Sequence, residues 1–178
     1  MGGPPVIPLK DDIPARRPPV VTFAGIAATV LAYLVAGDDL GVDGGGWTLA
    51  LAAGFLWLFG PSVEDAMGHA RFLVFLVAGG ALTWALDPAA AVAGAVGATL
   101  GAYAVLYPRA HVVALNLVPG FMTVTQVPAL PVLALWLPLQ ALAGGLEPAP
   151  LAGVLAGALT VRLLAHRVQP DPRRAPAF

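Results

Sequence analysis

The sequence predicts an all-α membrane protein built from six transmembrane helices, and two properties of the 178-residue chain lead to this prediction. The first is composition, because 58% of the residues are hydrophobic, only 11% are charged, and the mean hydropathy is +0.82. Ordinary soluble domains contain less apolar and more charged sequence. The second is the distribution of the apolar residues, which fall into six segments of roughly helical length.

The six apolar segments differ in how easily each one spans a bilayer. They cover residues 19–36, 47–60, 72–86, 89–107, 127–143 and 151–165. Since a helix rises about 1.5 Å per residue, roughly 17 to 25 residues are needed to cross the hydrocarbon. The second segment is the shortest, and it must borrow length from residues 42–46 or lie where the bilayer thins. A buried helical core in a soluble protein is the alternative, but so short a chain has too little polar surface to wrap six such helices.

Charge placement predicts that both termini are cytoplasmic. With the amino terminus inside and six crossings, the cytoplasmic end receives every cationic side chain: Lys10, Arg16, Arg17, Arg71, Arg109, Arg162, Arg167, Arg173 and Arg174. The opposite side receives acidic side chains only: Asp38, Asp39, Asp43, Asp87 and Glu147. This asymmetry is the positive-inside bias. It divides the chain into a cytoplasmic arm (residues 1–18), a membrane domain (residues 19–166) and a cytoplasmic tail (residues 167–178).

Composition also excludes several classes of function. The net charge of −1 provides no basic face for a nucleic acid, whose phosphates such a face would have to neutralise. The chain has no cysteine, which excludes a disulfide framework, a thiolate metal site and a thiol nucleophile. We expect no metal and no cofactor. The partners that remain are the lipid bilayer and other membrane proteins.

Several stretches, in the right order, resemble the rhomboid family of intramembrane serine proteases. Residues 55–75, FLWLFGPSVEDAMGHARFLVF, are similar to the junction between the second and third helices of prokaryotic rhomboids. Residues 7–22, IPLKDDIPARRPPVVT, resemble the opening of the family. The fourth segment, AVAGAVGATLGAY at residues 91–103 with LYPRA at 106–110, and LAGVLAG at 151–157 extend the likeness over most of the chain. The resemblance implies a six-helix rhomboid-like bundle in a prokaryotic plasma membrane.

The resemblance also implies a catalytic site whose positions are empty in this chain. The family uses a serine on the fourth helix, a histidine on the sixth that takes its proton, and oxyanion donors that include a histidine and an asparagine on the second helix. The serine position is Ala93, followed by the expected Gly94, and the histidine position is Pro150. The two oxyanion positions on the second helix are Thr48 and Ala52. A methyl group and a pyrrolidine ring can neither attack a carbonyl nor accept a proton.

No other residues of the chain replace the missing pair. The chain has one serine, Ser62, and three histidines, His69, His111 and His166, and all four belong to the predicted cytoplasmic ends. Ser62, followed three residues later by Asp65, has the capping-box pattern and predicts the start of the third helix. The histidines lie beside arginines, as solvated interfacial residues do. Thr99, the other hydroxyl in the fourth segment, has no base within reach and is expected to bond either a carbonyl one turn earlier or a neighbouring helix.

Small residues instead predict a packing seam between the fourth and sixth helices. Ala93, Gly97 and Gly101 repeat every four residues, with Gly94 beside them, and Gly153 and Gly157 have the same spacing. Small residues at this spacing let helix backbones approach closely in lipid. The high glycine content of the chain is the alternative explanation, but the spacing coincides with the stretches that resemble the family.

Two connections depart from the family pattern. Residues 37–46, between the first two segments, are too few for the long loop that shields the site in the family. Residues 109–121, RAHVVALNLVPGF, predict an amphipathic connector at the membrane interface with a turn at Pro119-Gly120.

We therefore predict a rhomboid-like pseudoprotease that binds or regulates other membrane proteins without cleaving them. One alternative is an active rhomboid-type serine endopeptidase, which needs a serine outside the cytoplasmic loops. A second alternative is a small transport or channel component, which needs polar residues inside the membrane. The sequence predicts neither the client protein nor the oligomeric state.

Overall fold

The computed structural model describes residues 6–11, 18–36, 45–118, 121–136, 138–139, 142 and 148–165. The helices are α1 (Val20–Ala36), α2 (Gly45–Met67), α3 (His69–Leu86), α4 (Ala91–Leu106), α5 (Ala129–Ala134) and α6 (Pro148–Leu164), with a 3₁₀ turn at Pro88–Ala90. The strands are β1 (Val6–Asp11), β2 (His111–Val118) and β3 (Phe121–Pro128). The described part of the chain is therefore mostly helical, as predicted.

Three helices in the described residues are long and apolar enough to cross a membrane: Gly46–Met67, His69–Leu86 and Pro88–Leu106. Two shorter apolar helices, Val20–Val35 and Pro150–Leu164, pack with them. The second predicted span, residues 47–60, is shorter than the helix that contains it. α2 extends from Gly45 to Met67 and is long enough to cross a membrane. Together with the composition, these helices make the chain an integral membrane protein.

The prediction of an all-α fold is wrong at the ends of the bundle, where the chain forms a three-stranded antiparallel sheet in the order β1-β2-β3. The connector after α4 contains strand β2, and Val127 and Pro128, predicted to begin the fifth span, end β3. Part of the predicted cytoplasmic arm, Val6–Asp11, pairs with β2. The predicted Pro119-Gly120 turn lies outside the described residues, between the paired Val118 and Phe121. The pairing of β1 with β2 joins distant parts of the chain, which local patterns do not reveal.

α4 occupies the centre of the bundle and packs against α2, α3 and α6. Residues on more than one face of α4 are buried, from Ala93 to Leu106. An aromatic cluster extends from α2 to α4 and to Trp136, which follows α5. Phe59 lies 4.8 Å from Tyr103 and Phe55 lies 5.0 Å from Trp136, ring centre to ring centre. These rings fill the space between helices that the small residues of α4 leave free.

Ser62 does not begin the third helix as predicted. It lies inside α2, almost fully buried, and α3 begins at His69 after Gly68, whose φ of 83° breaks the helix. Pro61 also lies inside α2, where proline removes one helical hydrogen bond. The helix continues past it because Val63, Ala66 and Met67 are buried in the core. Tertiary packing thus overrides the capping-box pattern.

The carboxylate of Glu64 joins three helices at one end of the bundle, here called the Glu64 end. It accepts hydrogen bonds from the backbone N–H groups of Val21 (2.9 Å) and Thr22 (2.8 Å) and from the Thr22 hydroxyl (2.7 Å), all at the start of α1. His69 Nδ1, at the start of α3, lies 2.6 Å from Oε1, the oxygen that also accepts from Val21. Only 1% of Glu64 is exposed. A carboxylate at a helix start satisfies N–H groups that have no partner within the helix and is favoured by the helix dipole.

We predict that Glu64→Gln lowers the free energy of unfolding by about 2 kcal/mol, since the amide NH₂ of glutamine meets donors where the carboxylate accepted from them. Thr22→Val removes one of these bonds and is expected to cost about 1 kcal/mol or less. The measurement is reversible unfolding in detergent micelles. A Glu64→Gln variant as stable as the parent protein would contradict the role given to this carboxylate.

Candidate functional site

The residues at the positions of the family dyad lie where α4 and α6 begin. Ala93 is in the first turn of α4 and only 3% exposed, and Pro150 is buried in the first turn of α6. A Cβ added to Gly97, one turn after Ala93, would lie 2.7 Å from the Pro150 carbonyl oxygen. The structure therefore brings the starts of the two helices together. The side chains it brings there are a methyl group and a pyrrolidine ring, which carry neither a nucleophile nor a base.

The two positions that resemble the oxyanion donors are on α2. Thr48 lies in its first turn and Ala52 one turn later, and both are buried. Ala52 lines an apolar groove that also contains Val92 and Val96 of α4. The start of α2 therefore faces the start of α4. The alanine offers no side-chain donor there.

Ser62 lies far from these positions. The Tyr107 hydroxyl, just after the end of α4, donates to the Ser62 carbonyl oxygen at 3.4 Å, which places Ser62 at the Glu64 end. Ala93 and Tyr107 are fourteen residues apart, or about 21 Å along a helix axis. His69 bonds Glu64 and His111 begins β2, both at that same end, and His166 lies outside the described residues. His69 is thus paired with a buried carboxylate, where a purely solvated histidine was expected.

Three threonines, Thr83, Thr99 and Thr160, donate hydrogen bonds within their own helices. The predicted bond of Thr99 to a carbonyl one turn earlier is confirmed, because its hydroxyl donates to the Ala95 oxygen at 3.1 Å. Thr160 donates to Ala156 in the same way at 2.7 Å. The Thr83 hydroxyl is shared between the carbonyls of Gly79 and Gly80, both at 3.0 Å. Such bonds occupy the donor hydrogens of these three hydroxyls.

Small residues bring the backbones of α4 and α6 into direct contact. A Cβ at Gly101 would overlap the Val154 carbonyl, and a Cβ at Gly157 would overlap the Ala98 carbonyl. At Gly153 the added atom would lie 2.5 Å from the carbonyl oxygen of Gly94. Real Cβ atoms do not approach backbone so closely, so these positions require glycine.

Gly94 takes part in a second contact, with α3. A Cβ at Gly94 would overlap the side chain of Thr83, and one at Gly79 would lie 2.9 Å from the Cβ of Ala98. The start of α4 is therefore held between α3 on one side and α6 on the other.

The outward face of α2 is a surface that the sequence analysis did not identify. Trp47, Ala50, Gly54 and Trp57 follow one another at intervals of three or four residues and are exposed. A Cβ added to Gly54 would have nothing within 4 Å. Trp57 borders α1, since its ring lies 5.2 Å from that of Phe23. The helical spacing of these residues was the available signal, but only the structure shows that the face is open.

Comparison with protein-family models gives a match to the Rhomboid domain over residues 41–167. This match covers more than half of the chain, from just before α2 to just after α6. No curated protein matches the chain, and no solved structure does.

We predict opposite effects for two glycine-to-alanine changes in this bundle. Gly157→Ala inserts a methyl group against the Ala98 carbonyl and should lower the free energy of unfolding by about 3 kcal/mol. Gly54→Ala meets no neighbour and should raise it by up to about 1 kcal/mol through helix propensity. Unfolding in detergent measures both variants. Equal effects of the two changes would show that α4 and α6 do not depend on this contact.

Proposed function

The chain belongs to the rhomboid family, and we propose that it is a pseudoprotease of that family, which binds transmembrane segments of other membrane proteins without cleaving them. The chemistry at the start of α4 supports the first half of the proposal. A serine hydroxyl is inert until a base lies within hydrogen-bond reach. Ala93 and Pro150 supply neither group, and Ser62 lies at the opposite end of α4, where the Tyr107 hydroxyl contacts its carbonyl oxygen.

The proposed membrane arrangement is six spans with both termini in the cytoplasm of a prokaryotic cell. The positions of the arginines support it. Arg71 begins α3 and donates to the Leu164 carbonyl, the last residue of α6, at 3.3 Å. Arg109 follows α4, and Arg162 lies in the last turn of α6. All three cations are therefore at the Glu64 end, which the positive-inside rule assigns to the cytoplasm.

The open face of α2 is the observation that carries the binding half of the proposal. Helices associate in lipid through close backbone approach rather than through a hydrophobic drive. Gly54 offers such an approach, and the exposed rings of Trp47 and Trp57 provide dispersion contacts on either side of it. Only residues 37–44 separate α1 from α2, so the connection is too short to cover this face as a long loop would.

An active protease is less well supported than the pseudoprotease. It requires a nucleophile beside a base near the start of α4, where Ala93 and Pro150 provide neither and the Thr83 hydroxyl donates to the carbonyls of Gly79 and Gly80. A transporter would require ionisable side chains along the spans. The buried carboxylate of Glu64 is bonded to α1 and His69, and so it has a structural role at the end of the bundle.

We predict that a fluorophosphonate probe does not label the purified protein and that a model transmembrane substrate stays intact. An active rhomboid protease in the same vesicles is the positive control. Since Ser62 is the sole serine, Ser62→Ala is the matched variant. Labelling that disappears in Ser62→Ala, or cleavage of the substrate, would overturn the pseudoprotease proposal.

We predict that Gly54→Leu weakens client binding while the protein stays folded, because the new side chain points away from the bundle. A photo-crosslinking amino acid at Ala50, in native membranes, should form adducts with transmembrane peptides of other proteins. These adducts should fall about tenfold in Gly54→Leu, which corresponds to about 1.4 kcal/mol of lost binding.

The control for this experiment is Ala78→Leu, which adds the same bulk to an exposed position of α3. Adducts should be unchanged in this variant. If Gly54→Leu and Ala78→Leu give the same adducts as the parent protein, the face of α2 is not the client site.

A further inference from the structure

A second apolar surface lies on the other side of α1. It is a groove of about 520 Å³ lined by α1, α2, α3 and α4. The volume is in the range of small-molecule sites, about 300 to 1,000 Å³. The polar side chain in its lining is Thr29, whose hydroxyl donates to the Gly25 carbonyl at 2.9 Å. A molecule that fills the groove therefore does not need to form a hydrogen bond with its walls.

The groove exists because α1 and α3 are attached to different helices. α1 is held on α2 by the Glu64 bonds and by close contact between Thr22 and Gly60. α3 is held on α4, where a Cβ at Gly80 would lie 3.3 Å from the Ala91 carbonyl. Three of the α1 residues that line the gap, Ala24, Gly25 and Ala28, are too small to fill it. Neither helix can move to close the gap without breaking these contacts.

The groove is long and lined by apolar side chains. From Val20 to Thr29 it follows α1 for about 13.5 Å. A hydrocarbon chain can lie along a groove of this length. Its rim residues Val20, Leu73 and Val77 are exposed and apolar, so that the groove is continuous with the lipid-facing surface.

The two ends of the groove differ in polarity. It reaches the Glu64 end at Val20 and Val21. His69 lies one turn before Leu73 on α3, and 41% of its side chain is exposed. A lipid whose headgroup lies at this end has the headgroup beside the polar side chain of His69 and its acyl chain between α1 and α3.

We propose that the groove between α1 and α3 binds one acyl chain of a bilayer phospholipid, with the headgroup at the Glu64 end. An unfilled apolar gap forfeits dispersion contacts along its walls, and an acyl chain restores them. This lipid maintains the distance between α1 and α3. The proposal does not depend on the client face of α2, which lies on the other side of α1.

The test uses the full chain in vesicles of phosphatidylethanolamine and phosphatidylglycerol with a trace of phosphatidylethanolamine that carries a diazirine in its acyl chain. After irradiation, adducts should map to α1 and α3 peptides that line the groove. Ala28→Leu fills the groove and should reduce these adducts about tenfold, since the new side chain takes the space of several methylene groups. Ala27→Leu, at an exposed neighbouring position outside the groove, should leave them unchanged.

A second measurement covers the case in which Ala28→Leu folds poorly. Added phosphatidylethanolamine should raise the Tm of delipidated parent protein and of Ala27→Leu, and should raise it less in Ala24→Leu, which also fills the groove. Equal labelling and equal Tm shifts in the filled and control variants would overturn the proposal. Labelling by a diazirine fatty acid without labelling by the phospholipid would also overturn it, because the occupant would then not be a bilayer phospholipid.

Discussion

The backbone contacts of α4 are the constraint on which the rest of the bundle depends. In lipid, neighbouring helices gain no hydrophobic free energy by leaving the hydrocarbon, so their association rests on dispersion and weak hydrogen bonds at short range. α4 meets this requirement on two sides, with Gly101 against α6 and Gly94 against α3. Its third side receives the aromatic ring of Phe59 on Tyr103. Because one helix contacts three others so closely, its residues are limited to those that each neighbour tolerates.

Glu64 attaches α1 to the rest of the bundle. This helix is short and largely exposed, and it packs chiefly on α2. The carboxylate bonds the first N–H groups of α1 and the start of α3 together. A buried carboxylate is costly unless hydrogen bonds compensate it, and four donors do so here. The same attachment fixes α1 at a distance from α3, and the groove between them is its consequence.

The sequence was sufficient for the features that depend on local composition. Apolar segments predicted most of the helices, and the stretches around Gly60, Tyr103 and Gly153 indicated the family. It was insufficient where distant segments decide the structure. The capping-box pattern at Ser62 is local, but burial of Val63 and Met67 extends α2 past it. The pairing of β1 with β2 joins residues more than a hundred positions apart, and the open face at Gly54 depends on which neighbours are missing.

The proposed loss of catalysis is compatible with this packing for a physical reason. A serine in place of Ala93, which is 3% exposed, would bring a hydroxyl that needs a hydrogen-bond partner, whereas a methyl group needs none. Pro150 lies in the first turn of α6, where a residue has no intrahelical acceptor for its N–H and proline is tolerated. Neither residue disturbs the contacts between α4 and α6. Catalytic side chains need hydrogen-bond partners at the site, whereas the packing of α4 on α6 needs none. Apolar side chains at these positions remove that need. The glycine contacts between α4 and α6 therefore need no polar side chain at Ala93 or Pro150.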